Sequence, residues 1–154
     1  MFAAPMQYWL TLATWLLVFS FALAKGARPE RGAAIILISA LCIDVIYHQI
    51  AGQNDYGQLD WMNLAIDSSV LIALGWIALR ANRYWPLWIT AMQAIPVVGH
   101  FAMLLEISGI SGAYWAMVAI PFYLQILTLL IATILHRRRL RLTGVYPDWR
   151  RPKT

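Results

Sequence analysis

The sequence is short of charge and nearly without cysteine. Charged residues make up 12% of its 154 positions, about half the roughly 25% of an ordinary soluble domain. The one cysteine, Cys42, excludes an intramolecular disulfide and a thiolate metal cage. No HExxH or CxxC signature occurs, nor any internal repeat or low-complexity stretch. Apolar residues fill the gap, at 61% of the chain with a mean hydropathy of +0.62. A soluble domain of this size leaves much of its chain exposed, so the composition excludes a soluble globular fold. It equally excludes a disordered chain.

A transmembrane helix needs about 20 mostly apolar residues at 1.5 Å rise each. The sequence predicts five such spans, over 6–24, 32–50, 61–79, 84–105 and 113–135. The fold class is thus all-α, a single transmembrane domain covering 1–154, with 136–154 as a basic tail. Tyr8, Trp9, Trp61, Tyr84, Trp85, Tyr114 and Trp115 fall near predicted span ends, where amphipathic rings favour the interface. Pro96 and Pro121 fall inside predicted helices and should kink them.

The formal charge of +5 would point to nucleic acid in a soluble protein, but its distribution argues otherwise. Lys25, Arg28 and Arg31 separate the first two spans, and Arg80 and Arg83 the third and fourth. Arg137, Arg138, Arg139, Arg141, Arg150, Arg151 and Lys153 follow the fifth, which accounts for all twelve basic residues. Five crossings put every one of them on one side, opposite Asp55, Asp60 and Glu106. Basic loops stay cytoplasmic, so the expectation is an N-terminus outside and a C-terminus inside. The first span lacks a positive n-region, which favours an uncleaved helix over a signal peptide.

Ionisable groups inside a bilayer are costly and should face the bundle with a partner. Asp44 and His48 are four apart on the second predicted helix. Asp60, Asn63 and Asp67 form a stripe on the third, and Gln93 and His100 one on the fourth. At 1.5 Å per residue, His48 lies about 3 Å, Asp44 and Asp67 about 9 Å, and His100 about 7–8 Å below the outer ends of their spans. Asp44, His48, Asp67 and His100 therefore share a layer, a candidate site for a divalent transition metal such as zinc or manganese. The same imidazoles could carry protons instead. The bland alternative is that the four groups bond one another as interhelical glue. Haem ligation by His48 and His100 is disfavoured, because their depths differ by about one turn and two acids would sit beside the iron.

Other positions read as structural. Gln125 needs an interhelical partner, Ala65, Ser69 and Ala73 make a small-residue face suited to close helix contact, and Cys42 reads as buried and inert. Serines lack a base at nucleophile spacing, so no hydrolase is expected. His136 reads as a solvated flank. Arg137, Arg138, Arg139 and Arg141 suit anionic lipid headgroups. Tyr146 and Trp149 should fold back to the headgroups or dock on a partner subunit.

The run Arg83-Tyr84-Trp85-Pro86-Leu87-Trp88, followed by Gln93 and His100, resembles a pattern in small multi-pass bacterial inner-membrane proteins of uncharacterised function. That resemblance covers one helix and its entry loop, and implies a bacterial inner membrane without implying any chemistry.

With no soluble domain and no catalytic motif, the expected function is a non-catalytic accessory subunit or assembly factor of a larger membrane complex. Its expected partners are lipids and another membrane protein or a second copy. The competing expectation is an ion- or proton-handling protein, or a metal-dependent membrane enzyme, using Asp44, His48, Asp67 and His100.

Overall fold

The computed structural model describes residues 6–51, 60–103 and 111–149, with side chains described over 9–50, 60–101 and 116–149. Asp55, Glu106, Arg150, Arg151 and Lys153, and the side chains of Tyr8, Tyr114 and Trp115, lie outside the described residues. The fold is all-α, with α1 (Met6–Lys25), α2 (Arg28–Ala51), α3 (Trp61–Arg80), α4 (Trp85–Met103) and α5 (Ser111–Thr143). Each helix packs on the next, α5 closes back onto α1, and α2 also touches α5. Short connections explain that order, since they leave successive helices no choice but to lie side by side.

Three helices are long and apolar enough to cross a membrane: Arg28–Ile50, Trp61–Arg80 and Ala116–Thr143. The apolar run in α1 is shorter, Trp9–Lys25. Over their described side chains both α1 and α4 fall short of the about 20 residues a span requires. This is a membrane-protein composition and architecture, with three qualifying spans where the sequence suggests five.

The helix boundaries have local causes. Lys25 to Arg28 is a very tight reversal, and Gly26 makes it possible. A Cβ at Gly26 would meet the Ala22 carbonyl oxygen at 2.4 Å and Glu30 Cβ at 2.7 Å. The Glu30 carboxylate then accepts the Ala27 backbone N–H at 3.2 Å, the reciprocal half of a capping box. With Pro29 in its first turn, where no amide partner is needed, α2 starts at Arg28 rather than at 32. Asp60 caps α3, accepting from the Met62 and Asn63 amides at 2.9 and 3.3 Å. At the other limit, α5 runs on to Thr143, so the first half of the predicted tail is helix. Gly144, at φ 71°, ends it in the left-handed conformation that glycine adopts without penalty.

Beyond Gly144 the chain turns back across the end of the bundle. The Asn82 amide donates to the Asp148 carbonyl at 3.1 Å, Ala81 and Trp149 form an isolated β-bridge, and the Trp149 ring packs 6.0 Å from Trp76. The α1–α2 turn, the α3–α4 connection and the end of α5 therefore meet at one end of the molecule. All of the described basic residues lie at or near this basic end, from Lys25, Arg28 and Arg31 through Arg80 and Arg83 to Arg137–Arg139 and Arg141. The core between the ends is closed by Leu37, Leu74, Ile89 and Leu129, from α2, α3, α4 and α5, all essentially without solvent exposure.

Candidate functional site

Two polar clusters flank that apolar layer. The first lies on its far side, in the stripes of α3, α4 and α5. The Gln125 side-chain amide donates to Gln93 Oε1 at 2.8 Å and to the Ile89 carbonyl at 3.3 Å. The Gln93 amide donates in turn to Asp67 Oδ1 at 2.8 Å and to the Asp67 carbonyl at 3.3 Å. On the other carboxylate oxygen, Asp67 Oδ2 lies 2.9 Å from His100 Nε2, a hydrogen-bonding separation. Three helices are thereby tied by one continuous chain of polar contacts. Each link removes a group that would otherwise be orphaned in an apolar interior.

The second pair of the predicted layer stays apart from this chain. His48 Nδ1 lies 2.9 Å from the Asp44 carbonyl and 3.3 Å from Asp44 Oδ1, a contact within α2. Glu30, Leu37 and Asp44 are seven residues apart and so share one face of α2. Glu30 and Leu37 are fully enclosed there, whereas the Asp44 and His48 side chains are 44% and 32% exposed. The inner face of α2 is thus enclosed near Glu30 and Leu37 and partly exposed at Asp44 and His48. Asp67 is partly exposed and His100 is not, at 23% and 1%. Among the described residues no group of three or more His, Cys, Asp or Glu is arranged to hold a metal ion. Asp60 turns from the outer loop that the sequence suggests to a cap position, where it also accepts the Tyr47 hydroxyl at 3.3 Å.

At the basic end lies a cluster the sequence reading missed. Arg83 is buried, and its Nη1 donates to both oxygens of Glu30. Nη2 donates to Asp148 Oδ1 at 3.0 Å and to His136 Nδ1 at 3.2 Å. Because Nδ1 accepts there, the His136 ring is neutral and carries its proton on Nε2. Trp85 Nε1 donates to Glu30 Oε1 at 3.2 Å, and the Arg28 amide reaches Asp148 Oδ2 at 3.5 Å. The Tyr146 ring stacks over the guanidinium, 4.8 Å from Cζ, and its hydroxyl accepts from Arg139 Nη1 at 2.7 Å. His136 is therefore a buried acceptor and not a solvated flank.

Nothing matches this chain among known protein families, curated proteins or solved structures. The site must be read from its own geometry.

The signal for the basic-end cluster was present in the charges. Glu30 and Asp148 are the acids that fall among the basic residues, and an acid outnumbered by cations beside an apolar bundle finds one of them. Two bland expectations change as well. Cys42 is exposed, and of the small-residue face Ala65 and Ser69 are exposed while Ala73 is half-buried. Of the basic-tail residues expected to meet lipid or a partner, Arg138, Arg139 and Arg141 are exposed, Arg137 is half-buried with its Cζ 5.9 Å from the Phe21 ring, and Tyr146 and Trp149 dock on the chain's own bundle.

Proposed function

We propose that this protein is a small non-catalytic integral membrane protein, an accessory subunit or assembly factor of a larger membrane complex. In this reading it crosses a bacterial inner membrane five times, with its N-terminus outside and its basic end in the cytoplasm. The gathering of Lys25, Arg28, Arg31, Arg80 and Arg83 at the end where α5 also finishes supports that orientation.

The observation that carries the reading is the layer of Leu37, Leu74, Ile89 and Leu129 between the two polar clusters. A conduit needs polar groups or water from one side to the other, and among the described residues these buried apolar side chains of α2, α3, α4 and α5 separate the two polar clusters. Asp67, Gln93, His100 and Gln125 on one side, and Glu30, Arg83, His136 and Asp148 on the other, bond one another as helix-joining groups do. Outside, Leu16, Leu17, Leu127, Ile131 and Ile134 cover α1 and α5 with exposed apolar surface, suited to lipid or to an apolar subunit. Proteoliposomes carrying the purified protein should show proton or cation flux no faster than empty vesicles. Flux that rises with protein content would contradict the reading.

One observation favours a second reading, that the Asp44, His48, Asp67 and His100 layer handles protons or cations. Asp44 and His48 stay half-exposed on an inward face, beside a partly exposed Asp67, where pure glue would be enclosed. An Asp67→Asn, His100→Ala variant that inserts normally but loses a cation-dependent activity of the parent membrane would support it.

A further inference from the structure

The guanidinium of Arg83 is only partly used. Nη1 serves Glu30 and Nη2 serves Asp148 and His136, while Nε, also buried, has no acceptor. Nε and Nη2 form the side-on fork of an arginine, spaced to receive two oxygens of one planar or tetrahedral oxyanion. Asp148 fills half of that fork. Its Oδ1 takes Nη2 at 3.0 Å, but Oδ2 turns away toward the Arg28 amide at 3.5 Å, a long contact.

The side chain that half-fills the fork belongs to a short segment beyond the end of α5. From Gly144 to Trp149 the tail is fixed by the Asn82–Asp148 backbone bond, the Ala81–Trp149 bridge, the Trp149–Trp76 contact and the Tyr146 stack. Asp148 itself is 27% exposed against 3% for the Arg83 side chain. Lifting Asp148 would leave Arg83 balanced by Glu30 alone, with His136 and the Arg28 amide beside it and Arg139 above it through Tyr146. That is a donor-rich pocket without its anion.

We propose that Arg83 Nε and Nη2 form a phosphate-type oxyanion site that Asp148 occupies in cis, so that the segment from Gly144 to Trp149 is a displaceable cap. A phosphate group would satisfy both donors of the fork where Asp148 satisfies one. The phosphate belongs either to an anionic lipid headgroup or to a free phosphate ion.

The test uses the full chain in maltoside micelles, which contain no phosphate. A nitroxide is placed at Val145→Cys, an exposed tail position, in a Cys42→Ser background, and tail mobility is read by electron paramagnetic resonance. Phosphatidylglycerol, diacylglycerol and inorganic phosphate are titrated separately. Release of the tail by phosphatidylglycerol alone identifies the headgroup, and release by inorganic phosphate identifies the free ion. Asp148→Asn should lower the concentration needed by about tenfold, the worth of one charge-assisted hydrogen bond. Arg83→Lys, which keeps the charge but loses the fork, should abolish the response. Diacylglycerol acting as well as phosphatidylglycerol, no response to either phosphate source, or an Asp148→Asn protein no more responsive than the parent would each overturn the proposal. The Asp148→Asn comparison stands even if Arg83→Lys fails to fold.

Discussion

Arg83 and Asp148 stand 65 positions apart in the chain and 3.0 Å apart in the fold. Their contact joins the α3–α4 connection to the tail beyond α5, and the Glu30 carboxylate on the opposite side of the same guanidinium adds the start of α2. The basic end is held by one buried cation between two anions from distant segments.

Removing that cation should be the most damaging single change. Arg83→Ala leaves Glu30 buried without a counter-charge, a loss of about 3–5 kcal/mol. Arg83→Lys should recover only part of it, because an ammonium cannot serve Glu30, Asp148 and His136 together. Thermal unfolding in detergent should rank the parent above Arg83→Lys and Arg83→Ala lowest.

The glutamine chain is worth less. Gln125→Leu removes the donor to Gln93 and should cost about 0.6–2 kcal/mol. Gln93→Leu should cost more, since it strips a donor from Asp67 and leaves the Gln125 amide only its longer contact to the Ile89 carbonyl. A double-mutant cycle in chemical denaturation should give a non-zero coupling between the two positions.

Gly26 should tolerate no side chain. In Gly26→Ala the new Cβ meets backbone, the Ala22 carbonyl oxygen at 2.4 Å, so the α1–α2 turn must shift. An overpacking cost of about 1–3 kcal/mol is expected. Gly75→Ala, where the nearest atom is the Thr90 methyl at 3.9 Å, serves as the matched control and should be close to neutral.

Orientation is open to a reporter test. In the proposed topology a fluorescent protein fused after the tail glows in the cytoplasm and alkaline phosphatase there is inactive, with the reverse at the N-terminus. Matching behaviour at both termini would mean an even number of crossings.

Much of the far cluster was legible in the sequence because helical periodicity does the work. Asp67, Gln93 and His100 sit at spacings that place each on one stripe, and stripes of neighbouring helices face one another. The order of packing was not legible, so Gln125 could be assigned a need but not its partner, Gln93. Asp44 and His48 share the predicted depth yet pair within α2, because depth fixes height along the bundle and not distance across it. Helix rotation was equally hidden, which is why Cys42 and the Ala65–Ser69 face turn outward. The Arg83 cluster was the largest omission. Its members come from the starts of α2 and α4, the α3–α4 connection, the end of α5 and the tail, where charged residues normally stay in water, and Glu30 and Asp148 lie 53 and 65 positions from Arg83.

The measurement that bears most directly on the proposed role is the native particle mass after mild extraction from the source membrane at endogenous expression. The account predicts co-migration with an assembly much larger than this 17.5 kDa chain and its micelle, with the apolar faces of α1 and α5 in contact with other subunits. Recovery only as a free monomer or small homo-oligomer would contradict it, and would move the Asp44, His48, Asp67 and His100 layer to the centre of the protein's function.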